Sequence, residues 1–134
     1  MLSVLVSASD EEIIATLQRF WVKALAEEGY AEAGAMLENS SDWPPDVIQA
    51  LIENHGTLHP IHQQERYKVT APETASGVPH HYVSRGEWQT PEGCIGDLSY
   101  RLPLNGLWSS LSAVFVLLLK GGRVSFILEG IEVQ

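Results

Sequence analysis

Apolar residues recur every three or four positions in the first part of the chain and crowd into near-continuous runs in the last part. Ile13, Leu17, Phe20, Trp21, Ala24 and Leu25 make the stripe of an amphipathic helix. Ser9-Asp10-Glu11-Glu12 stands just before it and fits a capping box, the Ser9 hydroxyl accepting an early backbone N–H while Glu12 reaches back. Gly29 is its natural stop. "YAEAGAMLE" continues as a short second helix. Asp42 to Pro45 opens a third, with Asp46 at its positive end and Val47, Ile48, Leu51 and Ile52 on its buried side. Asn54-His55-Gly56 is expected to end it.

The period then changes to two. "RYKVT", "HHYVSRGEWQ", "CIGDLSYRL", "WSSLSAVFVLLLK" and "RVSFILEGIEV" read as strands. The last four are separated by Thr90-Pro91-Glu92-Gly93, Asn105-Gly106 and Gly121-Gly122, all turn chemistry, while "ETASGVP" is a loop. The expected fold class is α+β: N-terminal helices packed on a curved antiparallel sheet. Residues 1–134 form one domain, 1–56 mainly helical and 57–134 mainly strands.

Turns fix register, and register fixes faces. Around Gly121-Gly122, Lys120 pairs with Arg123, so Leu119, Leu117, Phe115 and Ala113 face Val124, Phe126, Leu128 and Gly130. Around Asn105-Gly106, Leu104 pairs with Leu107, which sets Tyr100, Leu98 and Gly96 against Leu111, Ala113 and Phe115. Both hairpins then put Leu98, Tyr100, Leu111, Ala113, Phe115, Leu117, Phe126 and Leu128 on one side, the expected core. In the first hairpin a bulge after Glu92 would set Trp88 over Gly96 and turn Tyr82 and Ser84 inward; a slip of one residue would turn them all outward.

The other side shows Val114, Val116, Leu118, Ile127, Ile131 and Val133 among Asp97, Ser99, Arg101, Ser110, Ser112, Ser125 and Glu129. It is apolar for a wet face and polar for a second core, the mixture of a partner-facing sheet. Asp97, Arg101, Trp108, Val114, Val116, Ile127, Glu129 and Ile131 are the interface candidates of a homodimer. The competing reading folds "LSVLV" and "ETASGVP" across this face.

The 134 residues suffice for one core. The net charge of -9 is concentrated in the helical half. An acidic helical face explains it, as does steering toward a partner protein with a basic surface. No basic stripe is present to neutralise phosphates, so nucleic acid is not expected. No run is long enough for a membrane-spanning helix. One cysteine and no basic secretory leader point to a cytoplasmic protein.

Helices first, then an antiparallel meander closing on its longest hairpin, resembles the cystatin-like α+β cone of the nuclear transport factor 2-like superfamily. The segment "PLNGLWSSLSAVFVL" with the closing "LEGIEV" is similar to a family of small uncharacterised bacterial proteins, whose strand opens with Pro-Leu, a Gly, Trp-Ser and alternating Leu and Phe. Ser110 stands where that pattern has an acidic residue. The superfamily hosts isomerases, dehydratases, ligand carriers and immunity proteins that neutralise toxins. In its enzymes an Asp or His projects into a pocket between helices and sheet.

Trp21, His80, Tyr82, Trp88 and Tyr100 are the pocket candidates here; core packing explains the aromatic ones equally well. No carboxylate falls on the strand faces assigned inward, and His80 is the one candidate inward imidazole. Glu87, Asp97 and Glu129 fall on one outer row, with Arg85 and Arg101 diagonal to them, the arrangement of a surface ion-paired row. His55, His59 and His62 are close in sequence, but Pro60 interrupts the helix that would align them, so no metal or other cofactor is expected. Cys94 opens a strand without a base partner and reads as a small inward-facing residue. The leading expectation is a non-enzymatic binding domain that pairs through its sheet, with an immunity-type role. The alternative is a small-ligand-binding or isomerase-like domain using the interior pocket. An open cavity beside a buried titratable group separates the second from the first.

Overall fold

A computed structural model describes residues 2–58, 67–85 and 93–133. The class is α+β: a few helices against a five-stranded antiparallel sheet curled into a half-barrel. Strand β1 is Ser3–Leu5, β2 Tyr82–Arg85, β3 Cys94–Leu104, β4 Leu107–Lys120 and β5 Arg123–Val133, in the order β1-β5-β4-β3-β2. Helix α1 spans Asp10–Leu17 and runs on through π-helical turns at Gln18–Val22 and Ala24–Glu28; α2 is Tyr30–Ala35 and α3 Pro45–Leu58.

The local signals act as expected. The Ser9 hydroxyl accepts the Glu12 N–H at 3.2 Å, capping α1, and Gly29 ends the π-helical turns at a positive φ of 140°. Helix α3 runs two residues beyond Gly56. Its continuation is consistent with Pro60 being the first residue in the sequence unable to carry the helix on. "LSVLV" does not cross the outer face: Ser3–Leu5 pairs with Arg123–Ser125 as an edge strand. Of "RYKVT", Val69 forms a single bridge to Leu104.

All eight residues expected on the core side are buried. Trp21 meets Phe115 edge-on at 5.1 Å, and Phe115 meets Phe126 at 5.9 Å, so Phe115 points at the helical layer. The Gly121-Gly122 turn sets the expected pairs as far as Phe115 with Leu128.

Beyond that, two irregularities redraw the register. Glu129 is an extra residue in β5, since Phe115 pairs with Leu128 but Val114 with Gly130. Ala113 therefore faces Ile131, not Gly130. One inserted residue reverses the alternation after it, so the expected interface residue Ile131 points inward and is 6% exposed. The second lies between β3 and β4, where Pro103 pairs with Trp108 but Arg101 with Ser112, an offset of two. The Ser109 hydroxyl stands in the gap, donating to the Leu102 carbonyl at 2.7 Å and accepting the Leu111 N–H at 3.2 Å. Tyr100, Leu98 and Gly96 thus face Ala113, Phe115 and Leu117, each two positions from its expected partner. The even offset leaves Gly96, Leu98, Tyr100, Ala113, Phe115 and Leu117 on their expected face.

β1 covers only the start of β5. The middle of that edge is held by the segment after α2: Glu38 N–H donates to the Phe126 carbonyl at 3.2 Å. The Asn39 amide donates to the Leu128 carbonyl at 2.9 Å and accepts the Leu128 N–H at 3.1 Å. The Trp43 indole donates to that same carbonyl at 2.7 Å. Where it is covered, this edge cannot template another chain.

Candidate functional site

The site grows from strand β2. Tyr82 pairs with Ser99, and Arg85 with Gly96. Gly96 was expected beneath Trp88, so the pairing is offset by three residues, and an odd offset reverses faces. A Cβ at Gly96 would meet the Ser84 carbonyl oxygen, so this close approach of backbones requires glycine. Tyr82 accordingly turns outward, 64% exposed, and does not line an interior pocket. His80 is exposed as well, and His81 takes the inward place assigned to it. Trp88, Glu87, His59 and His62 lie outside the described residues.

His81 stacks on Tyr100 with ring centroids 3.8 Å apart and planes 7° from parallel. Trp108 stands edge-on to both, at 5.0 Å from His81 and 6.2 Å from Tyr100. Trp108 was expected on the outer face. It packs instead with the buried Tyr100, because the offset around Ser109 lies between it and Ser112 and strict alternation does not carry across.

The Tyr100 hydroxyl donates to Gln18 Oε1 at 2.9 Å. Gln18 opens the first π-helical turn, a backbone form often found at functional sites. Burial raises the Tyr100 phenol well above its ordinary range, with the Glu73 carboxylate adding to it. Burial likewise pushes the His81 imidazole down to about 4, with His80 adding a smaller repulsion, so the ring is neutral at pH 7. Both His81 ring nitrogens are buried without a hydrogen-bond partner among the described residues.

Above Gln18 lies a cleft of about 480 Å³ between α1 with its π-helical continuation and the strap at Ala71–Glu73. Arg19, Lys23, Glu27 and Glu73 bring both signs of charge to its walls. Lys23 pairs loosely with Glu27 at 4.0 Å, an exposed contact. Trp21, expected in the pocket, instead fills the core beside Phe115 at zero exposure.

The outer face has a different composition from the one expected. Val114, Val116, Leu118 and Ile127 are half-buried, as are Asp97, Ser99 and Arg101. Asp97 pairs with Val116, whose other neighbour is Ile127, while Glu129 is the exposed bulge residue. The expected carboxylate row therefore does not form between these two acids. Arg85 does not serve that row either. Its guanidinium bonds Asp10 at 2.6 Å and the Ala8 carbonyl at 2.6 Å, tying β2 to the start of α1. Cys94 is half-buried opposite Leu118, on the outer row and not inside.

Among the described residues, no three His, Cys, Asp or Glu side chains converge on a common point, and no helix is long and apolar enough to cross a membrane. Sequence reasoning missed His81, Gln18 and Trp108 as members of one cluster. The signal for His81 was available: inward and outward places in "HHYV" swap together, so Tyr82 facing out implies His81 facing in. Gln18 had no such signal, since it lies on a helix flank. Searches against protein families, curated protein sequences and solved structures find no match for this chain.

Proposed function

We propose that this domain binds a small polar molecule in the cleft between the first helix and the Ala71–Glu73 strap. The supporting observation is the buried Tyr100 phenol that holds Gln18 at the cleft wall, beside a neutral imidazole in van der Waals contact. A hydrogen-bonded polar pair inside an apolar core orients a group that meets solvent, which is how pockets acquire specificity. The cleft volume suits a metabolite-sized ligand, and walls of both charge signs suit one carrying both an ammonium and a carboxylate. Binding, not turnover, is the reading. The carboxylates of Glu27 and Glu73 are exposed, and an imidazole kept neutral down to about pH 4 is a weak base. The order of helices and curled sheet also supports a relationship to the nuclear transport factor 2-like superfamily, whose ligand carriers use the space between helices and sheet.

A thermal-shift panel of small amino acids, carboxylic acids and amines tests this reading. At least one compound should raise the melting temperature of the native chain and lose its effect in Gln18→Leu. A stabilising compound equally effective on Gln18→Leu, or a panel without any stabilising compound, would remove the cleft from consideration.

A second reading rests on the half-buried Val114, Val116, Leu118 and Ile127 of the outer sheet face. Pairing of two copies through this face would cover them, and an isologous contact is the commonest way. Light scattering should then give twice the chain mass, falling to the single-chain mass in Val116→Arg. A single-chain mass for the native protein would end this reading.

A further inference from the structure

A second cavity, of about 370 Å³, opens on the far side of Trp108 and shares no lining residue with the cleft. One wall is aromatic and aliphatic: Trp108, Tyr67, Leu104 and Leu107. Tyr67 is buried and lies against the His55 ring at 5.4 Å, so that wall is fixed. The Trp108 indole is fixed too, edge-on to the His81–Tyr100 stack.

The opposite side is built from Ser76, Gly77, Ser109 and Ser110. Ser76 is locked in place by its backbone, whose N–H donates to the Gly106 carbonyl at 2.8 Å and whose carbonyl accepts the Trp108 N–H at 3.0 Å. The Ser109 hydroxyl is already engaged within the sheet. Ser76 and Ser110 are the hydroxyls placed to meet the polar edge of a guest. His55 also lines the cavity, and none of the described lining residues is Asp, Glu, Lys or Arg.

We propose that this cavity is a binding site for a neutral, flat, one- or two-ring aromatic molecule carrying a hydroxyl or amide edge. Ring faces stack on a rigid indole at little entropic cost, and the aliphatic side chains bury the rest of the ring. A charged ligand would be desolvated without an Asp, Glu, Lys or Arg partner among the described lining residues, and an anion would also approach a chain of net charge -9. Leu107, 43% exposed at the mouth, fits a wall that is completed by a guest. This site stands independently of the cleft: either can be empty while the other is used.

The test is NMR titration of the 15N-labelled chain with 2-naphthol, following the Trp108 indole Nε1–H signal, assigned through Trp108→Phe. Saturable shifts of that signal are expected, with a dissociation constant on the order of 0.1–1 mM for a ligand of about eleven heavy atoms. Ser76→Phe and Ser110→Phe, which fill the cavity from exposed and half-exposed positions, should each weaken binding roughly tenfold or more. The anion 2-naphthoate should bind roughly tenfold more weakly than 2-naphthol. No shift at saturating 2-naphthol overturns the site, as does equal binding by both filled variants that retain the native spectrum. Equal binding of 2-naphthoate overturns the assignment to neutral ligands.

Discussion

Replacing His81 by Phe should remove most of one acid-driven loss of stability. The ring in place is neutral, stacked on Tyr100, and held down to about 4 from an ordinary 6.5 by burial and, less, by the neighbouring His80. In the unfolded chain His81 takes up a proton as pH falls through 6.5, while in the fold it resists until about 4. The unfolded state therefore binds more protons across that window. Stability is fully present above 6.5, declines as pH falls toward 4, and loses nothing further from this group below that. The full linkage for such a shift is about 3 kcal/mol. His81 is only partly shielded from water, and screening reduces this to about 1–2 kcal/mol. Phe keeps an aromatic ring against Tyr100 and cannot charge. Urea unfolding followed by tryptophan fluorescence, at neutral pH and at about pH 4.5, measures the difference. The native chain should lose about 1–2 kcal/mol more than His81→Phe between the two conditions. Parallel losses in the two proteins would refute the buried neutral imidazole.

Two further substitutions probe the sheet. Gly96→Ala sets a Cβ against the Ser84 carbonyl, so β2 must part from β3; a loss of about 1–3 kcal/mol is expected, with amide exchange accelerating at residues 82–85. Native protection across those amides would contradict the close approach. Phe115→Ala removes a ring buried between Trp21 and Phe126 and should cost about 3–5 kcal/mol by urea unfolding, whereas a loss below about 1 kcal/mol would contradict its central place.

Much of this chain is legible residue by residue. Ser9 caps α1, Gly29 ends its continuation, and Asn105-Gly106 and Gly121-Gly122 close the two long hairpins, because each acts through backbone geometry within a few residues. Alternation then assigns Phe115, Leu117, Phe126 and Leu128 to the core without any long-range information. What alternation does not carry is a break in its own period. The Glu129 bulge lies beside the Asn39 and Trp43 bonds to Leu128, made from the helical segment across the edge of β5. The Ser109 offset turns Trp108 toward His81. The pairing of β2 follows the contact of Gly96 with Ser84, some twelve residues away along the chain.

The candidate site depends on those later decisions. Tyr100 was placed correctly as an inward aromatic, but its partners Gln18, His81 and Trp108 come from three separate places: the helical layer, the residue before β2 and the adjoining strand β4. Local hydrogen-bonding preference and the two-residue period determined the elements and their apolar faces. Only tertiary packing decided which polar side chains were enclosed with Tyr100, because enclosure depends on where separate elements meet, and a single insertion or slip in register moves a side chain from one face to the other.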